Sequence, residues 1–325
     1  MVKKIKNKAI VAYLKFIKHP WQGYCLRKSA GLIKTDILSG NHFYFLGIVA
    51  ILKGEDNYLV EWIEFHKMMG VEHFILYDNG LEKNTEVILS PYKKSGLVTH
   101  ILFPHVKGSR DGKHVHTIRT QQLAYADAII RFKNHFQYLL QLDIDEFMFP
   151  KNDESILSIL KKLDPKKIKG LEIQHTNFGN NYHIKKPSGL VTENYLLTST
   201  SNTQNSVKSI GNTKFFSKFS KYTNIHQFSY RLSIIDLIKK MFTGYPKKIT
   251  GTAANNLFQL NHYYTKSQEE YLNKSIVNKK GWMTGKETKE KFIIINNKLN
   301  KIQNNNIARF IPKLKENIKL HNIKL

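Results

Sequence analysis

The sequence predicts an α/β protein in which a mostly parallel, Rossmann-like sheet is flanked by helices and ligands bind at the C-terminal strand ends. Three observations predict it. From Phe45 onward, apolar runs of strand length alternate with segments of helical period. The first strand, helix and strand fit within about 35 residues, the length of a right-handed βαβ unit. Finally, the run Gln137–Leu142 leads straight into Asp143-Ile144-Asp145-Glu146, and Pro150 closes the stretch.

Taken in order, Phe45–Leu52 is a continuous apolar run that the turn and N-cap residues Lys53-Gly54-Glu55-Asp56-Asn57 interrupt. Leu59, Trp62, Ile63, His66 and Met69 then recur at helical spacing as core residues, and Gly70 stops the helix. Val71–Tyr77 is a second strand ending in Asp78-Asn79-Gly80. A short helix over Thr85–Tyr92, a third strand over Gly96–Phe103 and a charged, glycine-containing loop over 105–113 follow. Thr117–Lys133 is a long helix with Ile118, Tyr125, Ala128, Ile129 and Phe132 on one stripe.

The fourth strand delivers the acidic pair. Side chains at i and i+2 of an extended segment point the same way, so Asp143 and Asp145 are expected to converge. Two carboxylates there suit a hard cation, Mg²⁺ or Mn²⁺, that keeps positions open for phosphate oxygens. A solvated acidic turn is the competing reading. Unpaired negative charge beside a buried strand is costly without a cation, which favours the metal.

Beyond Pro150 the period weakens. A helix over Ile156–Leu163, a strand over Gly170–Phe178 and a polar loop over Gly179–Gly189 are expected. Strands over Thr192–Ser201 and Ser206–Ile210 come next, then an irregular basic and aromatic stretch over 211–250. Leu257–Leu260 is a further strand and a helix starts near Gln268. From Lys286 the chain interleaves Ile and Leu with Lys and Asn, the pattern of basic amphipathic helices, with Ile307, Phe310, Ile311 and Leu314 on one face. Three regions result: a basic N-terminal region (1–44), an α/β domain (45–285) and a basic helical tail (286–325).

Fifty-one Lys and Arg against 25 Asp and Glu give the 325-residue chain a formal charge of +26. That excess attracts nucleic acid, anionic lipid and phosphorylated substrates alike. No nucleic-acid-binding module is recognisable and the basic residues are spread along the chain, so no nucleic-acid partner is expected. Cys25 is the single cysteine, which excludes an intrachain disulfide. No apolar run approaches the ~20 residues that span a bilayer. Near the start, Lys15 and Lys18 interrupt the apolar stretch, a poor secretory signal that reads better as a basic amphipathic helix. With the basic tail, it leads to the expectation of a cytoplasmic protein, peripheral at the anionic inner face of the cell membrane.

Asp-x-Asp after a strand also occurs in phosphotransferases and phosphatases of the haloacid dehalogenase type. There it lies near the start of its domain and runs into Thr or Val, whereas here it begins at Asp143 and runs into Glu146-Phe147. A different resemblance covers more of the chain. Lys53-Gly54-Glu55, Tyr58-Leu-Val-Glu61-Trp62-Ile-Glu-Phe-His66, Gly70-Val-Glu-His-Phe-Ile-Leu-Tyr77-Asp78-Asn79 and Asp143-Ile-Asp145-Glu146-Phe147 begin an ordered set. Asn177-Phe178-Gly179, Val207-Lys208, His226 and Asn261-His262-Tyr-Tyr-Thr-Lys266-Ser267 continue it. From about residue 45 to residue 285 this set resembles the glycosyltransferase 2-like group that includes the family 92 galactosyltransferases.

The resemblance implies a GT-A-like fold and an inverting, metal-dependent transfer from a nucleotide sugar, a UDP-sugar, to a glycan or lipid-linked acceptor in cell-surface polysaccharide or lipopolysaccharide synthesis. It adds His262 to Asp143 and Asp145 as a third ligand for Mn²⁺ or Mg²⁺. It places Lys53 and Glu55 at the nucleoside, Asp78 and Asn79 at the base or ribose, and Lys208, Lys266 and Lys274 at the diphosphate. Glu193 is its candidate for the acceptor base. A packed histidine, an N-cap turn, surface lysines and a solvated Glu193 are the corresponding structural readings.

Overall fold

The computed structural model describes residues 43–80, 83–103, 117–200, 206–216, 226–228, 230, 251–278 and 288–320. The expected N-terminal helix, the loop over 105–113 and most of 211–250 lie outside them. Strand β1 (Tyr44–Leu52), helix α1 (Asp56–Met68) and strand β2 (His73–Asp78) form the expected βαβ unit. Helix α2 (Lys83–Lys94), strand β3 (Val98–Leu102), helix α3 (Thr117–Phe132) and strand β4 (Phe136–Gln141) complete a parallel half with the order β3-β2-β1-β4. Gly70 ends α1 with φ +87, and the amides of Gly70 and Val71 donate to Lys67 O and His66 O. Along β1 the side chains divide between two cores: Leu46, Ile48, Ala50 and Leu52 in one, Val49 in the other.

The second half starts with strand β5 (Glu146–Pro150), helix α4 (Ile156–Lys162) and strand β6 (Gly170–Asn177). Short helix α5 (Val191–Asn194) and strands β7 (Leu197–Thr198), β8 (Val207–Asn212), β9 (Thr252–Ala253) and β10 (Phe258–His262) follow. The full order is β3-β2-β1-β4-β8-β6-β10-β5, with β9 beside β6. β8 is antiparallel to both β4 and β6, β10 is parallel to β6, and β5 is antiparallel to β10. The α/β architecture, a sheet parallel over β3-β2-β1-β4 and flanked by helices, is therefore the one the sequence led us to expect.

Two local expectations need correction. The acidic residues do not extend a single strand: β4 stops at Gln141 and Leu142–Asp145 turns, with Glu146 N donating to Asp143 O at 3.1 Å. The chain is changing partners there, from β1 in the parallel half to β10 in the other, so the i, i+2 argument does not govern where Asp143 and Asp145 point. Likewise the strand expected over Thr192–Ser201 opens as α5. Buried Glu61 on α1 accepts from Val191 N (2.8 Å), Thr192 N (2.9 Å) and Thr192 Oγ1 (2.8 Å), supplying the carboxylate that a helix start favours.

Helix α6 (Gln268–Asn278) precedes the tail, which forms helix α7 (Lys289–Leu299), strand β11 (Ile302–Gln303) and helix α8 (Ile311–Leu320). The tail is amphipathic as expected, but it is not separate from the α/β domain. Ile307, Phe310, Leu314 and Ile318 are buried in the core that also holds Trp62 and Phe65 of α1. The change of composition near residue 285 therefore marks no break in packing.

His66 couples α1 to β5. Its Nδ1 donates to Trp62 O (2.9 Å) and its Nε2 accepts from Met148 N (3.3 Å), an arrangement that requires the neutral ring. Burial holds its pKa at about 3, below the usual 6.5. The unfolded chain takes up this proton below pH 6.5 while the folded chain resists it, so stability is complete above that value and falls as pH drops toward 3. By pH 4.5 the loss attributable to His66 should be roughly 2–3 kcal/mol. Urea unfolding of the wild type and His66→Gln at pH 7 and 4.5 checks this: the variant should lose less, and equal losses would contradict it.

Candidate active site

The acidic turn is built from three sides. From α1, the buried indole of Trp62 donates to both Asp143 O (3.1 Å) and Glu146 O (2.9 Å), fixing the turn's backbone. Within the turn, Asp143 N donates to Glu146 Oε2 at 2.8 Å. From α3, Gln121 Nε2 (2.6 Å) and the Tyr125 hydroxyl (3.3 Å) donate to Asp143 Oδ1. Trp62, expected only as core, thus also staples the site to the helix beneath it.

From β8, Lys208 reaches the turn from below. Its ammonium, with no exposed surface, lies 2.8 Å from Asp143 Oδ2 and 3.2 Å from Glu146 Oε2. Burial alone would lower its pKa, but the two carboxylates more than offset this and hold it above the usual lysine range. Burial pushes Asp143 upward, against Lys208, and the charges of Glu146 and Asp145 add to the rise. Glu146 goes the other way: Lys208 and His175 outweigh burial and keep it below the usual carboxylate range. One lysine thus serves two carboxylates, with Glu146 the more firmly ionised.

The opposite wall comes from β6 and β10, whose parallel register sets His262 beside Asn177. Asn177 Oδ1 lies 2.8 Å from His262 Nδ1, so that nitrogen carries a proton and Nε2 is the one turned to Asp145. His262 Nε2 stands 3.7 Å from Asp145 Oδ1, and Tyr263 N donates to Asp145 O at 2.9 Å. His175, two residues before Asn177 on the same face of β6, packs its ring 4.7 Å from that of His262. Its Nε2 is 2.8 Å from Glu146 Oε1 but without hydrogen-bond alignment. Glu146, His175 and His262 offer ligand atoms within 4.8 Å of one another. Sequence reasoning quoted Glu146 only as part of a motif and missed His175. The usable signal was the alternation His175-x-Asn177 within the strand expected over Gly170–Phe178.

The residues expected at the nucleoside gather at the adjoining C-terminal edge, where Leu52 of β1 pairs with Asp78 of β2. Lys53 N donates to Glu55 Oε2 (3.0 Å), and burial lowers the Lys53 pKa. Asp78 is buried, with Oδ1 accepting from Gly80 N (2.9 Å) and Oδ2 3.1 Å from His100 Nε2. Asn79 Nδ2 donates to Phe103 O at 2.7 Å. Lys266, at φ +48, places Nζ 3.8 Å from the centre of the Tyr58 ring in the first turn of α1. The Lys274 side chain lies outside the described residues. Glu193 is ion-paired with Lys315 of α8 at 2.5 Å; among the described residues no contact joins it to the acidic turn.

Carboxylates, paired histidines and lysines thus gather at the C-terminal ends of neighbouring strands, the place where open α/β sheets bind ligands. The family model for glycosyltransferase family 92 matches residues 49–233, more than half of the chain, and the chain belongs to that family. A family 92 protein of Oryza sativa subsp. japonica is 25% identical over 150 residues, 46% of this chain and 24% of the relative. One from Ricinus communis is 24% identical over 112 residues, 34% of this chain and 18% of the relative. The matched segments thus span less than a quarter of either curated relative. Among solved structures, S. aureus TarS in complex with UDP is similar at 9% identity and a TM-score of 0.33, over 67% of this chain and 60% of that chain.

The burial of Lys208 has a direct consequence. Lys208→Met should leave Asp143 and Glu146 without a counter-charge and cost about 3–5 kcal/mol of stability. Denaturant unfolding reads this loss, and an unchanged midpoint would show that the two carboxylates do not depend on Lys208.

Proposed function

We propose that the protein is a metal-dependent glycosyltransferase that moves a sugar from a nucleotide-sugar donor, a UDP-sugar, to a glycan or lipid-linked acceptor. Family membership supports the reaction class. The observation that carries the site assignment is the approach of His262 Nε2, oriented by Asn177, to Asp145 at the end of the acidic turn.

In this reading the edge formed by Lys53, Glu55, Asp78 and Asn79 receives the nucleoside, and its internal hydrogen bonds hold it preformed. Asp145 and His262 would hold Mn²⁺ or Mg²⁺. When bound, the cation supplies positive charge to the departing diphosphate, where negative charge develops as the glycosidic bond breaks. Lys266 adds a fixed positive charge over the Tyr58 ring in the first turn of α1, and Tyr58 lies one helical turn before Trp62. Glu193 remains the proposed base for an inverting attack, and its pair with Lys315 would have to open for it to reach an acceptor hydroxyl.

For the membrane, no helix among the described residues is long and apolar enough to cross a bilayer. A peripheral position at an anionic inner face draws on the lysines and on exposed Ile293, Ile294 and Leu320, because the main apolar stripe of the tail lies in the core.

A panel of nucleotide sugars incubated with the protein and Mn²⁺ tests the reading. Slow release of nucleoside diphosphate from one donor is expected, and Asp145→Asn should reduce it about 100-fold or more at fixed metal. Hydrolysis of none of the donors, or full activity in Asp145→Asn, would contradict it.

A further inference from the structure

Resting on the transferase reading, we propose that the cation is held by His175, Glu146 and His262 beside Asp145, and that Asp143 is the partner of Lys208 instead of a ligand. Both Asp143 oxygens are committed: Oδ2 to Lys208, Oδ1 to Gln121 and Tyr125. Lys208 has no exposed surface and its two near partners are Asp143 and Glu146. Drawing Asp143 onto a divalent ion would strip the ammonium of its closest counter-charge, whereas Glu146 meets Lys208 through Oε2 and turns its other oxygen, Oε1, to His175.

The other side of the turn has donor atoms better suited to a cation. His175 is 3% exposed, and its Nε2 has no aligned hydrogen bond although Glu146 Oε1 is 2.8 Å away. A buried ring nitrogen aimed at a firmly ionised carboxylate is a donor pair awaiting a third party. His262 completes the set, with its tautomer fixed by Asn177 in the way that ligating histidines are commonly held. The three ligand atoms lie within 4.8 Å of one another, so a side-chain shift on the order of 1 Å lets them share one ion. β6 supplies both the ligand His175 and the orienting Asn177, which explains why the two alternate on one strand face. Two imidazoles also weigh against Mg²⁺, which prefers oxygen donors and retains its waters, and in favour of a transition ion such as Mn²⁺.

Calorimetric titration of Mn²⁺ and Mg²⁺ into the metal-stripped full chain, without donor, tests the assignment. Mn²⁺ should bind more tightly than Mg²⁺. His175→Ala should weaken Mn²⁺ binding at least tenfold, as should His262→Ala, while Asp143→Asn should stay within about threefold of wild type, whatever its activity. Circular dichroism confirms folding of each variant, and His175→Gln replaces His175→Ala if the latter fails to fold. Loss of Mn²⁺ affinity in Asp143→Asn with retention in the His175 variant would overturn the proposal, as would tighter Mg²⁺ binding. Donor hydrolysis by the wild type, measured in parallel, keeps the two readings apart: hydrolysis without dependence of metal affinity on His175 defeats only this ligand set.

Discussion

A lysine ammonium sealed inside a protein must be neutralised where it sits, and in this chain that requirement shapes the site. Lys208 takes Asp143 and Glu146 Oε2 as its counter-charges, which brings the acidic turn down onto β8 and leaves Glu146 Oε1 and Asp145 on the side of the histidines. Replacing such an arrangement by apolar groups is often no less stable, so its value lies more in specifying one geometry than in adding stability. Trp62 reinforces that geometry through the backbone, with one indole hydrogen shared between Asp143 O and Glu146 O. The turn is thereby held from its side chains and its main chain at once.

The location follows from the topology. The chain crosses from the parallel half of the sheet to the other half between Gln141 and Glu146, and β8 lies between β4 and β6. That crossing is where the strand partners change, and side chains from α1, α3, β6, β8 and β10 converge on it. β1 pairs with both β2 and β4, so the proposed nucleoside contacts and the proposed metal contacts lie at neighbouring strand ends of one sheet. Family 92 membership supports the reaction class proposed for this edge, and its lysine-bound and histidine-lined sides support the proposed division of labour.

Much of this was legible in the sequence because it rests on local periodicity. The strands through β4, the stop at Gly70 and the amphipathic tail all follow from spacing that local physics enforces. Asp143 and Asp145 stood out for a physical reason as well, since acids directly after a buried run demand partners. What stayed hidden depended on pairing between distant strands. Nothing near residue 143 announces that its partner is Lys208, in a chain with 51 Lys and Arg. His175 gains its meaning only when β6 pairs with β10, and Glu193 found Lys315 only because α8 packs onto the domain. The extended geometry assumed for the acidic pair failed for the same reason: a change of sheet partner cannot be seen from one strand.

The central claim is that a buried lysine and a divalent cation divide the acidic turn between them. Anomalous diffraction at the manganese edge from crystals of the full chain soaked in Mn²⁺ tests it most directly. The account expects a single peak among His175, Glu146 and His262, beside Asp145, with Lys208 still against Asp143. A peak bridging Asp143 and Asp145, with Lys208 displaced from the turn, would contradict it.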